Sequence, residues 1–185
     1  SHHGEQDHSG SILRILKIYA NAKVVTNPKC KSMLMDLLFI PDDRFITVAD
    51  GGTLSLGDKT LEFIYTPWVH WPETMVTYLK EEGILFSCDF FGSHLASSNL
   101  LAKENPTVYH SAKRYYAEIM MPFRAAIKKN LERLGNLDIR MIAPSHGPVY
   151  DEPKFILDAY RDWISDQVKN EVVIPYISMH GCTKK

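Results

Sequence analysis

The sequence predicts an α/β fold. Three observations carry that prediction. Strand-like and helix-like segments alternate along the chain, the chemistry-bearing residues fall where predicted strands end, and 185 residues are enough for one domain with a real core. Hydrophobic residues make up 45% and charged residues 23%, ordinary for a globular protein. The net charge of -1 gives no electrostatic reason to expect nucleic acid or an acidic membrane surface as partner. No apolar run approaches the roughly 18 residues that a membrane span needs. There is no secretory signal, and a chain opening with Ser1 rather than Met leads us to expect an upstream segment.

The elements follow in order. Ile12, Leu13, Ile15, Leu16 and Tyr19 recur at helical spacing and predict a helix over 11–22, with Ser9 as its N-cap. Residues 23–26 read as a short strand, Asn27-Pro28 as a turn and 33–39 as an apolar helix. Residues 45–49 form a strand that stops at Asp50-Gly51-Gly52. Residues 53–56 and 59–65 flank Gly57-Asp58 as a hairpin, and 75–79 and 84–87 are two more strands around a polar turn. Residues 94–107 are irregular. A long amphipathic helix over 111–134 is kinked at Pro122, whose ring cannot continue the backbone ladder, and ends at Gly135-Asn136. A strand over 139–143, a tight loop over 144–148, a helix over 154–168 and an apolar strand over 172–177 complete the chain.

His3, Glu5 and Asp7 alternate within the first eight residues, with His8 beside the last. In an extended or looped segment this alternation projects three side chains to one side; a helix would spread them. His70, Asp89 and His146 lie in loop-like contexts further on. Imidazoles and carboxylates suit iron, manganese or zinc, and without a thiolate in the set an iron–sulfur cluster is not expected. Asp89 can bridge two cations roughly 3.5–4 Å apart, the usual two-metal separation. Glu5, Asp7 and Asp89 would set three negative charges against the four positive charges of two divalent ions. Such anionic oxygen favours iron that must reach the ferric state over hydrolytic zinc. Each residue also has a plain reading: His2-His3 as a tag remnant, His70 as an interior histidine, Asp89 as a strand cap, His146 as a turn residue. His94, His110 and His180 read as packing or surface residues. Trp68, Trp71, Phe90 and Phe91 flank the ligands and read as pocket wall or as core.

The sets His3-x-Glu5-x-Asp7-His8, Thr66-Pro67-x-x-His70-Trp71-Pro72, Leu85-Phe86-Ser87-x-Asp89-x-Phe91-Gly92 and Ala143-Pro144-Ser145-His146-Gly147-Pro148 together resemble the flavodiiron proteins, also called type A flavoproteins. The likeness runs through nearly the whole chain, and four motifs in the same order make it specific. It implies a metallo-β-lactamase-like αββα sandwich, incomplete at the N-terminus. Glu5 stands where the zinc hydrolases of that superfamily usually have histidine. The resemblance implies His3, Glu5 and His70 on one iron, Asp7 and His146 on the other, and Asp89 bridging. His8 matches a position near the iron that often does not bind it, so it is expected beside the ligands and near the chemistry rather than among them.

Residues 172–177 followed by Ser178, Met179, His180, Gly181, Cys182 and Thr183 resemble the first strand and phosphate loop of the family's flavodoxin-like domain. The expected division is 1–169 for the diiron domain and 170–185 for the start of an FMN domain. The implied activity is reduction of dioxygen to water or of nitric oxide to nitrous oxide, with a rubredoxin-like electron donor and a head-to-tail homodimer or tetramer. Cys30, Cys88 and Cys182 form no C-x-x-C pair, which fits a reducing cytoplasm. The rival readings are a dinuclear zinc hydrolase and a remnant that does not turn over.

Overall fold

In a computed structural model of the chain, residues 1–167, 170, 176–181 and 183 are described. Five strands form the main sheet in the order β3 (Thr53–Ser55), β4 (Thr60–Tyr65), β5 (Met75–Leu79), β6 (Ile84–Cys88) and β7 (Met141–Pro144). The first four run antiparallel, and β7 joins parallel to β6. Residues two apart on a strand share a face. Ile64, Val76, Tyr78, Leu85 and Ile142 therefore point one way, into a core completed by α4 (Val108–Tyr115), α5 (Arg124–Leu134) and α6 (Pro153–Trp163). Burying each of the four aliphatic side chains among these is worth roughly 1.5–3 kcal/mol.

A second, smaller core gathers Leu16 from α2 (Ile12–Ile18), Cys30 and Leu34 from α3 (Pro28–Leu38), Val24 from β1 (Val24–Thr26) and Phe45 from β2 (Phe45–Thr47). β1 and β2 pair in parallel as a separate two-stranded sheet. The opening residues tie this unit to the main sheet. Met75 N–H donates to the His2 carbonyl at 3.1 Å, and His2 Nε2 lies 2.7 Å from Thr77 Oγ1 on the sheet face opposite the larger core. Helices, sheet, sheet and helices thus follow one another in the αββα order the motifs imply.

The differences from the sequence reading are local. The opening loop contains a helical turn, α1 (Gln6–Ser9), and the helix of 11–22 is shortened to Ile12–Ile18. Ser9 does not cap it; its hydroxyl donates to the Gly4 carbonyl instead. Asn27-Pro28 opens α3 rather than turning the chain: Asn27 Oδ1 accepts the Cys30 N–H at 2.8 Å, and proline at the first helical position loses no bond. The helix of 111–134 starts earlier, at Val108, and is interrupted by a π turn over 116–120 and a 3-10 turn over 121–123 around Pro122. α6 stops at Trp163, short of 168. Of the expected last strand, 172–175 lie outside the described residues, and Tyr176 and Ile177 are exposed and not in a strand.

Candidate metal centre

Asp89 occupies the centre of the site because β6 ends irregularly. The pairing of β6 with β7 slips between Phe86 and Cys88. Cys88 then adopts φ 55° and Phe91 φ 68°, left-handed backbone that non-glycine residues avoid. Each such residue costs on the order of 1–3 kcal/mol, which the surrounding structure must hold in place. Ser145 N–H donates to the Cys88 carbonyl at 2.8 Å, and Ser87 Oγ to the Phe90 carbonyl at 2.6 Å. The turn drives the Asp89 carboxylate inward, where it is 1% exposed.

Four imidazoles surround it, two on each oxygen. His3 Nε2 and His70 Nε2 each lie 3.3 Å from Oδ2. His8 Nε2 lies 3.0 Å and His146 Nε2 3.2 Å from Oδ1. Glu5 Oε2 joins the first pair, 3.0 Å from His3 and 3.5 Å from His70. Asp7 Oδ2 joins the second pair, 3.4 Å from His8 and 3.2 Å from His146. All six sequence-predicted ligands therefore converge, and they fall into two sets that share only Asp89.

The helical turn explains how neighbours in sequence reach opposite sets. His8 and Ser9 N–H both donate to the Glu5 carbonyl, so the chain coils just after Glu5 and swings Asp7 and His8 to the other side. The alternation rule for an extended segment does not apply here. Gly10 closes the coil: a Cβ there would meet the Gln6 carbonyl oxygen at 2.7 Å. His146 is set by its own loop. Its carbonyl accepts the Ser93 N–H at 2.9 Å, and Gly147 at φ 87° passes so close to Ser93 that a Cβ would overlap its hydroxyl.

Glu73 is the functional residue that sequence reasoning missed. It is 2% exposed, and its Oε1 accepts both the His3 Nδ1–H at 2.9 Å and the Gly4 N–H at 3.0 Å. That contact fixes the tautomer of His3 and leaves Nε2 facing Asp89. Asn27 Nδ2 anchors Glu73 through its carbonyl at 2.6 Å, so the start of α3 supports the site. The one available signal was its place three residues after His70, directly behind Pro72.

Charge is balanced within the pocket. Burial would raise the Asp89 pKa, yet the imidazoles of His146, His70 and His8 hold it well below the usual carboxylate range. Burial also disfavours charged His3 and His8, but contacts with Glu73 and Asp89 raise the pKa of His3, and Asp89 with Asp7 and Glu5 raises that of His8. His146 is raised first by Asp89. The donors fit a pair of cations. Apart from these close contacts with the imidazoles, both Asp89 oxygens and His8 Nε2 are buried with no further hydrogen-bond partner among the described residues, and so dense a cluster of buried ligand atoms asks for an explanation. His3, Glu5, His8 and Asp89 present ligand atoms within 4.8 Å of one another, as do Asp7, His8 and His146. His8, which the motif reading set beside the ligands, stands as close to Asp89 as any of them.

The surroundings are uneven. The Trp71 ring sits 4.8 Å from that of His3 and walls the pocket, whereas Phe90 and Phe91 are core residues, stacked on each other and packed against Tyr160. Trp68 does not wall it; it is 52% exposed and stacks on Phe123. His94 packs edge-on against His146 and Tyr115. A shallow cavity of about 350 Å³ opens beside Glu5, Asp7, Leu37 and Trp71. Ser178, Met179, His180, Gly181 and Thr183 lie on the exposed C-terminal tail, where Thr183 N–H donates to Ser178 Oγ at 3.2 Å; Cys182 lies outside the described residues.

Comparison with known proteins gives a consistent answer. The model of the ODP family beta lactamase matches residues 1–147. The chain is 38% identical to a coenzyme F420H(2) oxidase of Methanothermobacter marburgensis and 36% identical to a nitric oxide reductase of Moorella thermoacetica, each over 99% of this chain and 47% of the relative. It superimposes on the flavodiiron protein from Giardia intestinalis with a TM-score of 0.83 and 35% identity, over 88% of this chain and 41% of that one. The chain thus spans about half the length of the curated relatives it matches.

Proposed function

On the premise that the chain belongs to the flavodiiron (type A flavoprotein) family, with its ODP-type beta-lactamase fold, we propose that it is the metal-binding part of an oxidoreductase that reduces dioxygen to water or nitric oxide to nitrous oxide. The carrying observation is Asp89, a buried carboxylate whose two oxygens face two separate imidazole pairs. In this reading His3, Glu5 and His70 hold one iron, Asp7 and His146 the other, and Asp89 both. His8 stands at the second position as an additional donor or as the group that positions its neighbours. When bound, the irons and a reduced FMN supply the four electrons that dioxygen needs, or the two that coupling of nitric oxide needs.

The protein's own contribution is placement and charge. Three carboxylates offset the charge of the cations, which favours iron over zinc. Glu73 holds His3 in one tautomer. Trp71 limits bulk water, while the opening beside Glu5 and Asp7 admits a diatomic gas. Residues 170–185 are read as the start of a flavodoxin-like FMN domain, with 178–183 as its phosphate loop. A rubredoxin-like protein would donate electrons in a reducing cytoplasm, and a head-to-tail dimer or tetramer would bring one subunit's flavin to another's metals. No helix among the described residues is long and apolar enough to cross a membrane.

The test is anaerobic titration of the chain with ferrous iron, followed by gas uptake with a reduced flavin donor. Two irons per chain and consumption of dioxygen or nitric oxide support the reading. Preferential uptake of zinc with ester hydrolysis would replace it with the hydrolase.

A further inference from the structure

A continuous line of aromatic rings runs from the residues that follow Asp89, through the larger core, to a different part of the surface. Phe90 and Phe91, next to Asp89 in sequence, stack with centroids 3.9 Å apart. Phe91 meets Tyr160 at 4.9 Å, Tyr160 meets Trp163 at 5.2 Å, and Trp163 meets Tyr109 at 5.8 Å. Tyr109 is half-buried and borders a cavity of about 250 Å³ together with Tyr150, Phe155 and Lys103. That cavity is lined by none of the metal-site residues.

Packing alone explains clustered rings, but not their identity. Trp163 Nε1 is buried without a hydrogen-bond partner among the described residues, whereas the Tyr160 hydroxyl meets the Phe91 backbone. An unsatisfied buried polar group costs roughly 1–3 kcal/mol, so an apolar ring would serve the core better at position 163. What tyrosine and tryptophan offer, and phenylalanine does not, is a ring that loses an electron easily. An indole can do so while keeping its proton, which suits Trp163, half-buried with its Nε1 shielded from solvent. Tyr109, at the wet end, can release its phenolic proton to water.

We propose that Tyr160, Trp163 and Tyr109 form a path by which oxidising equivalents leave the metal pocket and emerge at Tyr109, protecting the ligands when flavin electrons run short. The proposal rests on the oxygen-reducing reading above. Its oxidant is hydrogen peroxide, the partly reduced form of dioxygen. Peroxide takes up two electrons and two protons and becomes two waters. Each electron comes from Tyr109 by way of Trp163, which is oxidised without losing its proton, and tunnels past the Tyr160 and Phe91 rings, neither of which is itself oxidised; the Tyr109 proton goes to solvent, and solvent supplies the protons used at the peroxide. A one-electron reductant of the ascorbate class restores Tyr109 between the two events, so two reductant molecules balance one peroxide.

The experiment is rapid freezing of the iron-loaded chain after hydrogen peroxide is added without flavin, with the radical read by electron paramagnetic resonance. Iron content and peroxide consumption are measured on the same samples. A tyrosyl signal that Tyr109→Phe removes, that Trp163→Phe also removes, and that ascorbate quenches is the expected result. Peroxide consumed with no aromatic radical, or a radical unchanged in both variants, overturns the path and leaves the diiron reading intact. Failure to take up iron overturns that reading, and the path with it. Circular dichroism of the two variants, which keep aromatic rings in place, identifies any loss of signal caused by unfolding, and Tyr160→Phe, which keeps the ring that the electron tunnels past, must leave the signal in place for the path to stand.

Discussion

The two sides of Asp89 carry similar donors in different settings. On the Oδ2 side, His3 is fully buried and clamped by Glu73, which is itself tied to the start of α3. On the Oδ1 side, the Asp7 side chain is 49% and His146 26% exposed, and both sit on loops or on a four-residue helical turn. Identical chemistry with unequal support teaches that a two-metal site need not be built to one stiffness. The rigid side is suited to retain its cation, and the open side to exchange ligands with solvent and to meet a gas.

The comparison can be broken first at the shared group. Asp89→Asn removes the one charge that both sides use. Gas reduction should be abolished, and metal content should fall from two ions per chain to one or none, a loss larger than the ~10–100-fold in affinity that an outer-shell change produces. Near-normal activity with two ions bound would refute the bridging role. Glu5→His comes next. It replaces an anionic donor on the rigid side by a neutral one, and competition between ferrous iron and zinc should shift toward zinc. Unchanged iron loading would count against the charge argument.

Glu73→Gln sharpens the contrast between the sides. It keeps the shape and weakens the hold on His3 Nδ1. Affinity for the first cation should drop by ~10–100-fold, with the second little changed, as read by stepwise calorimetric titration. An equal loss on both steps would mean that the sides are not supported independently.

The pH dependence has opposite signs with and without metal. His3, His8 and His146 have pKa values raised above the ordinary value of 6.5 in the folded, metal-free chain. The stability they contribute is therefore fully present below that value and is lost as pH rises through the raised folded values. Cations must displace those protons, so metal affinity moves the other way and weakens as pH falls through the same range. Melting temperatures of the two forms should thus diverge as pH is raised above 6.5, by a few degrees for each kcal/mol involved (about 2–8 °C). Parallel curves would contradict the proton–metal exchange.

Much of the fold was legible because strands announce themselves by alternation. Residues 75–79 appear as a strand over the same span, and the hairpin around Gly57-Asp58 pairs Thr53 with Glu62 and Ser55 with Thr60. Asp89 and His146 could be placed because each follows a strand. The turn Gln6–Ser9 could not, since four residues carry no apolar period, and its backbone bonds to Glu5 are a tertiary matter. Without it the alternation of residues could not explain why Asp7 leaves the side of the site that His3 and Glu5 occupy, a separation that only the family resemblance implied. Glu73 escaped for a related reason. An acidic residue after a proline looks like surface until folding buries it against His3 and Gly4. The extent of α3 was readable in principle, because asparagine followed by proline is a helix start as much as a turn.

The central claim, that two cations lie on opposite oxygens of one carboxylate, meets its most direct test in anomalous diffraction at the iron edge from iron-loaded crystals of the chain. Two peaks are predicted, one among Asp89 Oδ2, His3, Glu5 and His70, the other among Oδ1, Asp7 and His146. A single peak, or none, with those side chains in place, would contradict it.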